Sequence, residues 1–369
     1  MKILFAARSF DSMAGGVERM AISIMNEMIQ RGHEVSLLTW DYEEAVTFYP
    51  LSEKVNWLKI NLGEPLGKAS WSIRMKRIPH IRNMVRGSSA DLILAFQHGI
   101  FFSLKIYTLG MGIPIIAAER NAVSIYKFIS GGKYKNLIMQ SFRFADQLTV
   151  QLPSYVNSYP KYLQNKITVI PNRVEPVIEA KFSLKRRSNR KVLLSVGRLS
   201  FQKNFQLLVE CFKILSEDFP DWDLIIAGDG EELKILIKLV NYNKLNNRVT
   251  LLGPVEDVES LYLNADLFCL PSLWEGFPNS LAEALSYGLP SVGFSDSSGI
   301  NELISDNHNG LLAIGNNNQE SLIHSLRILM NDSKLRKHMS QNAIASMKQF
   351  NPNKIYDQWE ELFDKFSNL

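Results

Sequence analysis

The stretch Trp274-Glu275-Gly276-Phe277-Pro278-Asn279-Ser280-Leu281-Ala282-Glu283-Ala284-Leu285 follows an apolar run at 267–270 and a short loop. That order reads as strand, loop, helix. Pro278 suits the first turn of the helix, where the N–H it lacks would go unpaired anyway. Gly288 and then Pro290 end the helix. The backbone N–H groups of Asn279, Ser280 and Leu281 are then expected to face a ligand, because a helix N-terminus attracts anions. Glu275 precedes this start and Glu283 lies inside the helix. Carboxylates beside an anion site repel further negative charge, so they are expected to meet hydroxyls, as on a sugar or a ribose.

The same alternation extends in both directions. Apolar runs at 3–7, 34–39, 91–96, 114–118, 147–150 and 167–170 alternate with helix-period segments, the first being Val17, Met20, Ala21, Ile24 and Met28. A second series runs through 192–196, 224–227, 249–252, 267–270 and 291–293. Such a pattern predicts parallel sheets covered by helices on both faces. Between the series, 171–190 holds Pro171, Pro176 and the basic run Lys185-Arg186-Arg187, and it reads as a linker. The expected fold class is α/β, with two Rossmann-like parallel-sheet domains facing across a crevice. Residues 1–172 would form the first domain and 173–354 the second, with a last helix at 355–369 packing back on the first. Ligands of such sheets bind beyond the carboxyl ends of the strands.

Composition narrows the class. The chain has 369 residues, 46% of them apolar and 21% charged, which excludes disorder as a description of the whole. Net charge is +4, but residues 1–172 carry +8 and residues 173–369 carry −4. Two halves of opposite sign suggest different partners. Cys211 and Cys269 are the only cysteines, too few for a disulfide framework, and no Cys/His cluster has zinc spacing. No metal-binding motif is recognised, so neither a metal nor a cofactor is expected. The start of the chain does not read as a signal peptide, and no long uncharged apolar run is present. The expectation is a cytoplasmic protein, peripheral at most on the cytosolic face of an inner membrane.

A second loop supplies positive charge. Ser195-Val196-Gly197-Arg198-Leu199-Ser200-Phe201-Gln202-Lys203-Asn204 also lies between a strand and a helix. Arg198 offers a planar fork and Lys203 a point charge, and both suit a diphosphate.

Taken in order, Gly-Arg-Leu…Gln-Lys-Asn, Ala-Gly-Asp-Gly at 227–230, Glu-Gly-Phe-Pro…Glu-Ala, Ser298-Gly299-Ile300-Asn301-Glu302 and Asn309-Gly310-Leu311-Leu312 resemble the retaining glycosyltransferases of family 4, which have the GT-B fold. The resemblance implies a nucleotide-diphospho-sugar donor, with UDP the expected nucleotide. Gly197, Arg198 and Lys203 would hold its pyrophosphate, the two cations neutralising it as it leaves. Glu283 would bond the ribose, and Glu275 a hydroxyl of the donor sugar. Gly276, Phe277, Pro278, Asn279, Ser280 and Leu281 would line the sugar and phosphate, and Val255 would sit near the base. The family's same-face attack, with the leaving phosphate accepting the proton, would need no enzymic nucleophile.

The first half resembles the family more thinly. Gly15-Gly16 at a helix start matches its glycine-rich first loop, which brings backbone close to a sugar or phosphate. His98, after the run at 91–96, stands where some members keep an active-site His or Asp. Glu119-Arg120-Asn121 is similar to members that build bacterial surface polysaccharides; Glu119 would meet a sugar hydroxyl and Arg120 a phosphate. A lipid-linked saccharide acceptor follows from that likeness. The family commonly has a glycine after Asn172, where this chain has Arg173. Residues 70–86 alternate Trp71, Ile73, Met75, Ile78, Ile81, Met84 and Val85 with Arg74, Lys76, Arg77, Arg82 and Arg86. Such a segment could lie on an anionic membrane, or pack on a core with a solvated basic face, and Pro79 is expected to interrupt it. Nucleic acid is not an expected partner, because stacking platforms and binding motifs are absent. Neither first loop carries Gly-x-Gly-x-x-Gly, which argues against a nicotinamide dehydrogenase. A sugar-nucleotide epimerase on the same fold and a silent sugar-nucleotide binding protein remain alternatives.

Overall fold

Among the described residues, thirteen short segments form strands. In chain order they are β1 Lys2–Ala6, β2 Glu34–Thr39, β3 Asn56–Lys59, β4 Leu92–Phe96, β5 Ile115–Ala118, β6 Gln147–Val150, β7 Ile167–Val169, β8 Lys191–Val196, β9 Trp222–Ala227, β10 Val249–Gly253, β11 Leu267–Cys269, β12 Ser291–Phe294 and β13 Gly310–Ala313. The computed structural model describes residues 1–177 and 190–367. The basic run at 185–187 lies outside the described residues. Contacts divide the chain into two units, Met1–Arg173 with Asn353–Leu369, and Val174–Pro352.

The first unit holds a seven-stranded sheet in the order β3-β2-β1-β4-β5-β6-β7, parallel throughout. Its central strands are buried on both faces, so they read as unbroken apolar runs. β3 is an edge strand, Asn-Trp-Leu-Lys, only partly buried, which is why no apolar run announces it. Chain order and right-handed crossovers sort the helices. Helix Gly16–Gln30 covers one face, joined there by the last helix, Pro352–Asp364. Ile355, Trp359, Leu362 and Phe363 of that helix share a core with Phe5, Phe96 and Met25. Arg31 fastens its outer side, at 2.6 Å from Glu360 and 2.8 Å from Asp357.

Helices Trp71–Ser88, His98–Tyr107 and Lys135–Ser141 follow crossovers in the other direction and lie on the opposite face. Pro79 does not break the first of these: one helix runs through it. The carbonyl that loses its partner belongs to Met75, an exposed residue. Only Arg77, Ile81 and Val85 of this helix are buried. Of its apolar stripe, Trp71 and Met75 are exposed and Ile73, Ile78 and Met84 half-buried.

The second unit holds six parallel strands in the order β10-β9-β8-β11-β12-β13. The α/β fold class with two Rossmann-like parallel sheets is thus observed. Gly310 opens β13 because a Cβ there would stand 2.0 Å from the Ser291 carbonyl oxygen. Among the described residues, no helix is long and apolar enough to cross a membrane.

Candidate active site

Each sheet has a point where its strand order reverses. In the second unit, β8 leads outward to β9 and β10, and β11 returns on its other side. Loops leaving β8 and β11 therefore diverge and open a binding site at the carboxyl edge. The β8 loop carries Gly197, Arg198 and Lys203, and the β11 loop carries Glu275 and the helix Asn279–Ser286.

The two loops meet through one buried ion pair. Lys203 Nζ lies 2.7 Å from Glu275 Oε1, with side chains only 15% and 7% exposed. Gln202 supports it: its amide donates to the Trp274 carbonyl at 2.7 Å and to Glu275 Oε2 at 3.3 Å. The Glu275 backbone N–H donates to the Ser298 carbonyl, which explains why the Ser-Gly-Ile segment belongs with the glutamate. Gly197 lies under the lysine; a Cβ there would stand 3.1 Å from Lys203 Cε. Arg198 is different. Its side chain is 75% exposed and, among the described residues, pairs with Glu231 at 3.4 Å, so its fork remains open to a ligand.

Backbone packing holds the Arg198 loop in place. Leu199 N–H donates to the Asp229 carbonyl, and Glu232 N–H to the Leu199 carbonyl. Gly228 has φ +138°, and a Cβ on it would fall 2.0 Å from the Gly197 oxygen. Asp229 closes this turn by accepting from the Gly230 N–H at 2.8 Å.

The helix start is displaced by one position from the sequence expectation. Pro278 is the N-cap and the helix begins at Asn279. The Asn279 N–H turns back to the Phe277 carbonyl at 2.9 Å, so it does not point outward with its neighbours. That tight turn is an inverse γ-turn centred on Pro278 (φ −77°, ψ 80°). The amides of Ser280 and Leu281 remain at the open end, and the Ser280 hydroxyl is buried without a partner. Glu283 accepts from the Tyr262 hydroxyl at 2.9 Å. Val255, half-buried, follows β10 at the same carboxyl edge.

In the first unit the reversal lies between β1 and β4. The β1 loop ends in Gly15-Gly16, and His98 begins the helix directly after β4. Gly16 starts its helix as expected, but the space a Gly15 side chain would fill holds the Glu18 carboxylate. Burial raises the Glu18 carboxyl above its usual range. His98 Nε2 sits 2.7 Å from Ser141 Oγ, and the ring packs against Phe102 and Phe142. Burial lowers its pKa, which favours neutral imidazole.

Glu119 and Arg120 separate. Successive residues at a strand end point to opposite faces. Arg120 bonds Thr149 Oγ1 at 2.9 Å and lies 5.1 Å from the Trp359 ring centroid. Glu119 turns the other way, toward His98, Tyr126 and Tyr159; the His98 backbone N–H bonds its carboxylate. Burial pushes Glu119 up to about 7, opposed by that N–H and by Arg120. Burial also pulls Arg120 down to about 9. Glu119 Oε1, and Nε and Nη1 of Arg120, are buried without partners. Such atoms are costly unless a ligand or water completes them.

Gln202, Tyr262 and Ser141 had no assigned role in the sequence. Gln202 lies inside a quoted motif and could have been noticed there. Tyr262 and Ser141 reach their partners only through folding, and no spacing signals them. Among the described residues, no group of three or more His, Cys, Asp or Glu is arranged to hold a metal.

Comparison with known proteins agrees with this architecture. Residues 14–177 match the profile described as Glycosyltransferase Family 4, and residues 176–346 match Glycosyl transferases group 1. The chain belongs to the family 4 glycosyltransferases. This glycosyltransferase is 28% identical, over 100% of its length and 99% of the relative's, to the GalNAc-alpha-(1->4)-GalNAc-alpha-(1->3)-diNAcBac-PP-undecaprenol alpha-1,4-N-acetyl-D-galactosaminyltransferase of Campylobacter jejuni. It is 37% identical over 195 residues, 48% of each chain, to the Escherichia coli UDP-Gal:alpha-D-GlcNAc-diphosphoundecaprenol alpha-1,3-galactosyltransferase. Its fold matches Anabaena HepE, solved in complex with UDP and glucose, with a TM-score of 0.80 at 21% identity over 99% of both chains.

Proposed function

We propose that this glycosyltransferase is a retaining, metal-independent enzyme. In this reading it moves a hexose or N-acetylhexosamine from a UDP-sugar to a lipid-linked saccharide in bacterial surface-polysaccharide assembly. The observation that carries the reading is the pairing of Lys203 with Glu275 where the strand order reverses, beside an open Arg198. As the anomeric bond breaks, negative charge collects on the diphosphate. Arg198, Lys203 and the Ser280 and Leu281 amides are the groups that would stabilise it. Glu275 would take a donor-sugar hydroxyl while it orients Lys203, and Glu283 would take the ribose. Gly197, Gly276 and Phe277 would border the donor, and Val255 the base. On the acceptor side, Gly15, Gly16, His98, Glu119 and Arg120 would act from the first unit. The departing phosphate would accept the proton of the attacking hydroxyl, so no enzymic nucleophile is needed.

The substrates named for the Campylobacter and Escherichia relatives, together with UDP in the HepE structure, support the choice of donor and acceptor classes. A peripheral position on the cytosolic membrane face, through the basic segment at 68–86, belongs to the same reading.

The test is a screen of UDP-sugars against membrane lipid extract in EDTA, with mass spectrometry of the product. A product one sugar heavier, with its anomeric configuration kept, is expected. Conversion of the nucleotide sugar with no acceptor present would identify an epimerase instead. UDP binding without product for any acceptor would identify a silent binding protein.

A further inference from the structure

We propose that Tyr262 is a positioning residue for the nucleotide: its hydroxyl fixes the Glu283 carboxylate for the ribose and ties it to the element that follows the base loop. The role rests on the donor-site reading of Glu283 and Val255, and supplies the group that sets their geometry. Tyr262 lies on the short helix Val258–Asn264, which follows β10 after the loop that holds Val255 and leads into β11. Glu283 lies on the helix Asn279–Ser286, which follows β11. One side chain therefore joins the segment after the proposed base loop to the proposed ribose carboxylate.

Packing holds the donor still. Tyr262 is 2% exposed, and its hydroxyl donates to Glu283 Oε2 at 2.9 Å. Tyr287 stacks on the phenol ring, with centroids 5.4 Å apart and planes at 24°. Phe268 of β11 lies at 6.2 Å. A buried ring packed in this way keeps one orientation. Tyr287 is also the C-cap residue of the helix that carries Glu283, and its N–H donates to the Glu283 carbonyl at 3.0 Å. The stack is thus anchored on the same turn as the carboxylate that Tyr262 serves.

The acids around this stack are each matched to a donor. Asp257 caps the Tyr262 helix by accepting from the Ser260 N–H at 3.1 Å and from the Ser260 hydroxyl. Glu259 accepts from the Tyr287 hydroxyl. The two phenols are therefore divided, one to Glu259 and one to Glu283. A glutamate on a helix otherwise samples several rotamers. A fixed hydrogen bond to one oxygen selects among them before the ligand arrives, so less ordering is left to binding. A ribose offers two adjacent hydroxyls, and their donation to one carboxylate depends on the plane of that group. Phenylalanine would fill the same space; the hydroxyl is what orients Glu283.

The experiment uses the full chain and calorimetry. The tightest binder among UDP, GDP and ADP is compared with its 2′,3′-dideoxy form. Wild type is expected to prefer the ribose form about ten-fold or more. Tyr262→Phe should weaken the ribose form about five-fold and leave the dideoxy form unchanged, so the preference shrinks. Retained binding of the dideoxy form would show that this variant folds. Glu283→Gln should shrink the preference too, and adding Tyr262→Phe to it should change the preference little further. Tyr287→Phe, which removes the neighbouring hydroxyl, should keep the wild-type preference. Equal weakening of both nucleotides in Tyr262→Phe would reveal a packing role and overturn the proposal. So would a preference kept at the wild-type value in that variant. A wild type that binds no nucleotide, or shows no preference for ribose, would overturn the donor-site reading of Glu283 and this proposal with it.

Discussion

Lys203 and Arg198 are both cations of one loop, yet their environments divide their roles. Lys203 is sequestered with Glu275, and removing one member of a buried pair costs on the order of 3–5 kcal/mol. Lys203→Ala should therefore lower both turnover and melting temperature. Arg198 is open to water, with one long ion pair that contributes about 1 kcal/mol or less. Arg198→Ala should lower turnover by orders of magnitude and leave the melting temperature within a degree or two. Near-normal transfer in both variants, with the true donor, would sink the donor-site assignment.

Glu119 gives a pH prediction at the same scale. Its folded pKa, about 7, exceeds the ordinary value of 4.5 because burial disfavours the charge. The folded protein thus holds a proton that the unfolded chain releases between those values. Stability from this group is complete below pH 4.5 and is lost as pH rises through 7, roughly 3 kcal/mol in all. His98 acts in the opposite sense, since burial lowers its pKa and favours the folded state as pH rises. The Glu119→Gln variant isolates the carboxyl. Its denaturant-derived stability should decline less than wild type between pH 5 and 7.5; parallel curves would show that Glu119 does not titrate there.

Among the elements, the two strand-order reversals decide which loops can cooperate. The β8 and β11 loops are brought together by the pairing of Leu267 with Leu193 and Phe268 with Leu194. The β9 loop then braces the β8 loop through contact of Gly228 with Gly197. Gly228→Ala would drive a methyl group into a backbone oxygen and require φ +138° of an L side chain. It should cost about 1–3 kcal/mol and displace Arg198, so activity should fall further than stability alone explains. Gly32 is a useful control. It also has positive φ, +88°, but a Cβ there meets open space. Gly32→Ala should cost about 1 kcal/mol and leave transfer unchanged, as melting and activity measured side by side would show.

For the whole molecule, the chain order conceals which residues fold together. The last helix belongs to the first unit, where Trp359 is fully buried beside the core of β1 and β4. Trp359→Ala should cost about 3–5 kcal/mol. Hydrogen exchange should show the loss in Lys2–Ala6 and Leu92–Phe96, while Trp222–Ala227 of the second unit keeps its protection. Equal loss in both sheets would mean that the units unfold as one. The charge asymmetry also belongs to this scale. The acidic half carries the proposed anion site, because Arg198, Lys203 and two helix amides act locally. The basic half owes its sign to residues 65–145, which hold twelve Lys and Arg against Asp91 and Glu119.

The sequence by itself determined the alternation of strands and helices, two parallel sheets, and the identity of the loop residues at their carboxyl ends. Buried parallel strands must be continuous apolar runs, and helix starts and stops carry local signals, so both are written in neighbouring residues. Folding alone decided which of those residues meet. The edge strand β3 has no apolar run because it is half exposed. Pro79 continues a helix because Met75, whose carbonyl it leaves unpaired, is an exposed residue. The Asn279 amide is withdrawn by a turn set by the dihedrals of Pro278. Glu119 and Arg120, adjacent in the chain, part to opposite faces because side chains alternate at a strand end. Tyr262 reaches Glu283, and Lys203 reaches Glu275, across sequence gaps that no spacing rule spans. Contacts between distant residues depend on sheet order, and sheet order is a property of the packed chain.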